Sequence, residues 1–417
     1  MVTMRLGINT EIAFTYLLAK RKQTLVASLG VTFGISMFIF MNSLITGTNE
    51  YFEKITLSST PHIRLYNENR MSDNTMLNKA LGVASINIIS NPRLVNSDNR
   101  IYNPDAMVRL LKKNREVTSV SQQVSSNVIY SNGSVQRNGN VAGTNILEQD
   151  KMFDITSTLT AGSVKDLAAA ADGIIIGTGL AKDLNLNKDD YINLTTSAGT
   201  LKRLQVVGIF RTTVKNVDNT KSYANIQTVQ QLLKKDRSYI TDIYLNLKNY
   251  TMASELGSRI ENATGYRAES WQSANEQSIA ARMIRDVIAN SVVITILVVA
   301  GFGIYNILNM TIYEKIKEIA ILKATGFAGV HVISIFIRQA LFIGVIGGMM
   351  GVLSGWFISW MVSRMYIGTG NLSYLPVSFY FKHYLEGFLF GIVTAFFAGY
   401  IPARMASKVD PVSIIRG

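Results

Sequence analysis

Few residues in this chain are arranged to do covalent chemistry. There is no cysteine among its 417 residues, so thiolate catalysis and disulfides are excluded. The three histidines, His62, His331 and His383, lie far apart in sequence and have no metal-ligand spacing. No Gly-x-x-x-x-Gly-Lys-[Ser/Thr] loop occurs to cradle a nucleotide phosphate. Gly177-Thr178-Gly179 is an incomplete dinucleotide fingerprint and reads as a strand-to-helix turn. Asp189 and Asp190 sit in Leu-Asn-Lys-Asp-Asp, the composition of a solvated turn rather than a catalytic carboxylate pair. Neither a Gly-x-Ser-x-Gly elbow nor a His-Glu-x-x-His pair is present. No cofactor is expected on this chain.

What stands out instead is a charged, half-apolar segment, Tyr313–Phe327. Ile316, Ile319 and Ala320 share one side of a helix with charges opposite, and Gly326 supplies a C-terminal stop. A short rigid helix of this kind either joins two larger helices or also seats in the groove of a partner. Glu314, Lys315, Glu318, Ile319, Ile321, Leu322, Lys323 and Gly326 are its candidate contact residues.

The elements that position this segment are apolar. A bilayer-spanning helix needs about 20 mostly apolar residues because its backbone must satisfy itself. Four segments qualify, centred on Leu25–Ile45, Val287–Ile312, Val332–Ser363 and Tyr384–Pro402. The first is too long for a signal peptide and lacks a small-residue cleavage site. The expected organisation is an interfacial amphipathic helix (1–23), then spans at 24–48, 287–313, 332–363 and 384–403. A mixed α/β domain (49–286) falls between the first two spans, with a β-rich subdomain at about 136–235. The connecting helix segment (314–331), a short loop (364–383) and a tail (404–417) complete it. Within the α/β domain, Asn103-Pro104 marks a helix start, and Asn132-Gly133 a hairpin in Ser126–Val141. Met71–Arg100 is polar and Asn-rich and reads as a long excursion.

Orientation follows from charge. Among the short flanks, Arg5, Lys20, Arg21, Lys22, Lys315, Lys317, Lys323, Arg404, Lys408 and Arg416 fall on one side of this topology, and only Arg364 and Lys382 lie in the opposite short loop. The positive-inside rule puts both termini and the 314–331 segment in the cytoplasm, with the large domain outside. That domain carries 28 basic and 23 acidic residues, so the net charge of +13 sits mainly at the membrane flanks. Nucleic acid is therefore not an expected partner, whereas membrane lipid is.

The spans are rich in small residues. Gly30-x-x-x-Gly34 marks the first, and Gly344, Gly348, Gly351 and Gly355 the third, where backbones can approach closely. The third-span set reads as packing within one chain, while Gly30 and Gly34 suit either that or a second subunit. Arg338, near the start of the third span, reads as snorkelling to headgroups.

Three motifs then resemble a known family, in order along the chain. Glu318-Ile-Ala-Ile-Leu-Lys-Ala-Thr-Gly326 is similar to "EIGILKALG" of the macrolide-exporter and lipoprotein-releasing superfamily of ABC-transporter permeases. Gln339 through Gly348, Gly351 and Gly355 resembles its third span. Tyr400-Ile-Pro-Ala-Arg-Met-Ala406 with Asp410-Pro411-Val412 resembles its terminal signature. Asn49–Glu53 with Thr60–Leu65 resembles the lipoprotein-releasing branch.

The resemblance implies an inner-membrane permease that hydrolyses no ATP itself. ATP and magnesium would sit on a separate cytoplasmic ATPase dimer, with 314–327 as the coupling helix. A second permease chain, identical or paralogous, would complete the transporter. A lipoprotein would enter from the outer leaflet, past a wall that includes Ile35, Phe38 and Met41, and leave to a periplasmic carrier. An exporter of peptides or small toxic molecules, and a non-transporting division-type signalling permease, are the alternatives on this architecture.

Overall fold

Four runs of apolar residues become four long helices, Arg21–Ser59, Glu276–Glu314, Gly329–Ser363 and Phe381–Ser407, all long and apolar enough to cross a membrane. The computed structural model describes residues 8–68, 99–212, 214–369 and 372–415. Most of the polar stretch Met71–Arg100 therefore lies outside the described residues, as do Arg5 and Arg416. At 39 residues each, the first two helices are about 58 Å long, well beyond an apolar core of about 30 Å. Hydroxyls on these helices bond back to their own carbonyls, as Thr32 does to Ser28 (2.8 Å) and Ser354 to Met350 (2.8 Å). That is how such side chains are tolerated in an apolar setting. The chain divides into two compact units, residues 1–52 with 280–417, and 53–279.

In the helical unit, a leading helix Ile8–Ala19 precedes the first long helix. It carries one charge, Glu11, and its exposed side includes Ile8, Phe14 and Leu18. It is therefore apolar on more than one face rather than amphipathic. Phe14 meets Phe342 edge-on at 6.1 Å, and Arg338 bonds the Thr10 hydroxyl. Arg338 thus finds a protein partner where snorkelling was expected.

The α/β unit is built on ten strands: β1 Ile63–Tyr66, β2 Val117–Asn132, β3 Val135–Thr144, β4 Leu159–Gly162, β5 Gly173–Gly177, β6 Tyr191–Thr196, β7 Leu201–Phe210, β8 Lys221–Asn225, β9 Asp242–Leu247 and β10 Arg267–Ser270. They join in the order β10-β1-β9-β2-β3-β8-β5-β7-β4, and β6 pairs both β2 and β7. The pairs β2-β3, β3-β8, β8-β5, β5-β7, β7-β6 and β6-β2 therefore close a six-stranded ring. Closure removes the exposed edges an open sheet would leave. Apolar side chains fill it, among them Tyr130, Ile174, Ile176, Leu194 and Val206, and the Tyr130 hydroxyl pairs with that of Ser222 at 2.6 Å.

Strand β2 serves twice. Its first part, Val117–Gln123, pairs β9, and its far part, Val128–Ser131, pairs β6. The ring thus recruits β2, ahead of the residue-136 boundary read from sequence. The hairpin turns at Gly133, whose φ of 59° suits glycine. Asn103 precedes the Pro104 helix but makes no side-chain cap; it sits at φ 50°, a left-handed position that asparagine tolerates.

Candidate coupling site

The charged segment folds as a nine-residue helix, Ile316–Ala324, between the second and third long helices. It ends in a Schellman motif: the Gly326 N–H donates to the Lys323 carbonyl and the Phe327 N–H to that of Leu322, both at 3.1 Å, with Gly326 at φ 102°. Only glycine adopts that angle cheaply, so Gly326 fixes where the helix stops.

Its residues divide by face. Ile319 and Ala320 are buried, whereas Lys317, Glu318 and Ile321 are exposed. Leu322 is half-buried, and with Ile321 it lines a cavity of about 380 Å³ shared with Ile8, Glu11, Ile12, Thr15 and Tyr16 of the leading helix. Lys323 reaches inward, where its ammonium donates to the carbonyls of Ser407 (2.9 Å) and Val409 (2.6 Å). Those are acceptors that the end of the fourth helix leaves without an intrahelical donor.

Two more anchors come from the leading helix and the turn that follows it. Lys20 pairs with Glu314 at 2.6 Å. Lys315 pairs with Glu318 at 2.5 Å and lies 5.5 Å from the centre of the Tyr16 ring. Tyr16 and Glu318 line the same cavity, and burial first, then that carboxylate's charge, push the Tyr16 phenol up to about 12. The short helix thus packs beside Tyr16 of the leading helix and is tied to the fourth helix through Lys323, while Lys20 ties the turn after the leading helix to the end of the second long helix. Tyr16 and the two carbonyls are not legible in the sequence, because nothing local links position 16 to 318 or 323 to 407.

The small residues are placed unequally. A methyl built on Gly351 would lie 2.7 Å from Cβ of Ile35 and 3.1 Å from the Thr32 carbonyl; one on Gly355 would lie 3.0 Å from Cβ of Ile39. Gly347 meets Val31 and the Ser28 carbonyl in the same way. These three, one turn apart, seat the third helix on the first. Gly344 faces Ala395 of the fourth helix at 2.6 Å, and Gly348 faces Phe388 at 2.9 Å. On the first helix, Gly34 rests against Ala300, Ile296 and Leu297 of the second, while Gly30 has nothing within 4 Å.

The three residues assigned to a substrate wall differ in their surroundings. Ile35 is fully buried among Gly348, Gly351 and Gly391, and Phe38 packs near Gly387 with its ring 5.5 Å from that of Phe390. Both point at the third and fourth helices, because the glycines there leave room for them. Met41 is only half-buried. The exposed apolar face of the first helix carries Leu25, Val26, Leu29 and Phe33 instead.

At the far end of the helices, Glu50 accepts from the Ser378 hydroxyl (2.6 Å) and the Tyr380 hydroxyl (2.7 Å), and the Ser378 N–H donates to the Ser43 carbonyl (3.0 Å). These bonds, Ser378 first, hold the Glu50 carboxyl below its usual range. Among the described residues no cluster of His, Asp or Glu has the makings of a metal site.

Comparison with known proteins adds two family matches and several relatives. Residues 290–411 match the family described as FtsX-like permease C-terminal, and residues 24–263 the MacB-like periplasmic core domain. The chain is 24% identical to the lipoprotein-releasing system transmembrane protein LolC of Neisseria meningitidis, over 98% of this chain and 99% of that one. It is 23% identical to the protein of the same name from Haemophilus influenzae, over 99% and 100%. A macrolide export ATP-binding/permease protein, MacB, of Acinetobacter baylyi is 21% identical over 99% of this chain and 60% of its own length.

Proposed function

The chain belongs to the FtsX-like ABC-transporter permeases that carry a MacB-like periplasmic core, and from that membership we propose that it extracts lipoproteins from the outer leaflet of the inner membrane. In this reading a separate ATPase dimer, holding ATP and magnesium, docks against the exposed face of Ile316–Ala324. Lys317, Glu318 and Ile321 make that contact. Ile319, Ala320 and Lys323 pass its movement to the helices, as the bonds to Ser407 and Val409 support. Both termini and this helix face the cytoplasm, and residues 53–279 stand in the periplasm, as the basic flanks support. The substrate need not cross the bilayer, so the helices work as a lever rather than a pore. A second permease chain, identical or paralogous, completes the transporter, and a periplasmic carrier accepts the lipoprotein.

The observation that carries the substrate assignment is the end-to-end similarity to proteins named for lipoprotein release. Similarity to a macrolide exporter over almost the whole chain keeps the export of small molecules or peptides as the second reading. Purification of the tagged full chain from native membranes, followed by mass spectrometry and ATPase assay, separates them. Co-purified ATPase with bound lipoproteins supports release, and ATPase without lipoproteins supports export. Glu318→Arg reverses the charge facing Lys315 and Tyr16, and is expected to lower ATP turnover at least about tenfold, in line with loss of a charged contact at an interface. Unchanged turnover would remove the coupling role from this helix.

A further inference from the structure

Between the leading helix, the start of the first long helix and the middle of the third lies a groove of about 320 Å³. Its floor is apolar: Leu25 and Leu29 continue one face of the first helix, Ile346 and Met350 one face of the third, and Phe14 forms a side wall. The two long helices run parallel at this contact, since Gly347, Gly351 and Gly355 meet residues successively further along the first helix. The strip from position 21 to position 29 is therefore about 12 Å long, with Arg21 at one end and leucines leading away from it. No carboxylate lines the groove. Arg21 is exposed and has no acidic partner among the described residues, whereas its neighbour Lys20 is neutralised by Glu314.

A single uncompensated guanidinium at the mouth of a narrow apolar channel suits one kind of occupant. It must present a phosphate with net negative charge at one end and a hydrocarbon chain at the other. We infer that the groove binds an anionic glycerophospholipid, with its phosphate on Arg21 and an acyl chain laid along Leu25 and Leu29. Bound there, the lipid wedges the leading helix against the first and third helices. That same leading helix packs beside Glu318, Ile321 and Leu322 through Ile12 and Tyr16, so the lipid braces the short helix from behind.

Native mass spectrometry of the detergent-purified full-length chain, titrated with dioleoyl phosphatidylglycerol or dioleoyl phosphatidylcholine, tests this. The wild type is expected to retain one phosphatidylglycerol with about fivefold preference over phosphatidylcholine, the size expected for one basic side chain at a lipid surface. Arg21→Gln should erase the preference, and Lys22→Gln, at an exposed residue outside the groove, should keep it. Leu29→Trp should reduce retention of both lipids by filling the channel. Equal retention of the two lipids by the wild type would mean ordinary annular contact and overturn the proposal. So would equal losses in Arg21→Gln and Lys22→Gln, since these would reflect general basicity.

Discussion

His62 shows how much one half-buried ring can control in the α/β unit. Its Nδ1 accepts from the Leu247 N–H at 2.8 Å, its carbonyl accepts from the Trp271 N–H, and Tyr250 lies edge-on at 6.0 Å. Burial keeps the ring's pKa below the ordinary value near 6.5. The neutral ring is thus the folded form. Its contribution is complete above about pH 6.5 and is lost as pH falls through the lowered folded value. The unit should therefore melt at lower temperature as pH falls from about 7.5 to about 5, followed through Trp271 fluorescence. His62→Gln, which has nothing to protonate, should flatten that dependence. An equally steep slope in the variant would assign the effect to other groups. Little of this was legible in the sequence, where His62 was simply a histidine without a metal partner. Its role depends on Leu247, nearly two hundred residues away.

Between elements, glycines decide which helices touch. The sequence made Gly30, Gly34, Gly351 and Gly355 look equivalent, since each belongs to a Gly-x-x-x-Gly pair. The structure separates them by what lies opposite. Gly351→Ala places a methyl against Cβ of Ile35 and the Thr32 carbonyl, and backbone cannot step aside cheaply. It should destabilise the helical unit by about 1–3 kcal/mol. Gly30→Ala meets open space and should be neutral or stabilising by up to about 1 kcal/mol through helix propensity. Thermal unfolding in detergent of both variants checks the contrast, and equal effects would refute it. The positions of the four helices were legible because apolar run length alone dictates them. Their packing was not, because spacing names a face of a helix without naming the neighbour. The neighbours of Ile35 and Phe38 were not legible for the same reason.

For the molecule as a whole, the absence of cysteine makes orientation directly measurable. A single cysteine can be introduced at either exposed loop without removing a native thiol. Ser134→Cys, in the β2–β3 turn, should react with a membrane-impermeant maleimide in intact spheroplasts. Thr325→Cys, beside Gly326, should react only after lysis. The reverse pattern would invert the proposed topology. The general plan of a large α/β domain between two apolar helices was readable from composition shifts. The closed ring was not, since β6 reaches β2 across some sixty residues and nothing in either strand names the other.

The position of β1 has a consequence in time. It lies between β9 and β10, with Ile63 opposite both Leu245 and Ser270. A ribosome delivers β1 early and its two neighbours only after the whole of the ring has been made. All six ring strands lie between residues 117 and 225, so the ring has every partner it needs while β1 still has none. The ring is thus set to fold first, and the older-born strand waits unpaired until its neighbours arrive. Four residues long, with Arg64 at its second position, β1 offers little for a stray strand to extend during that wait.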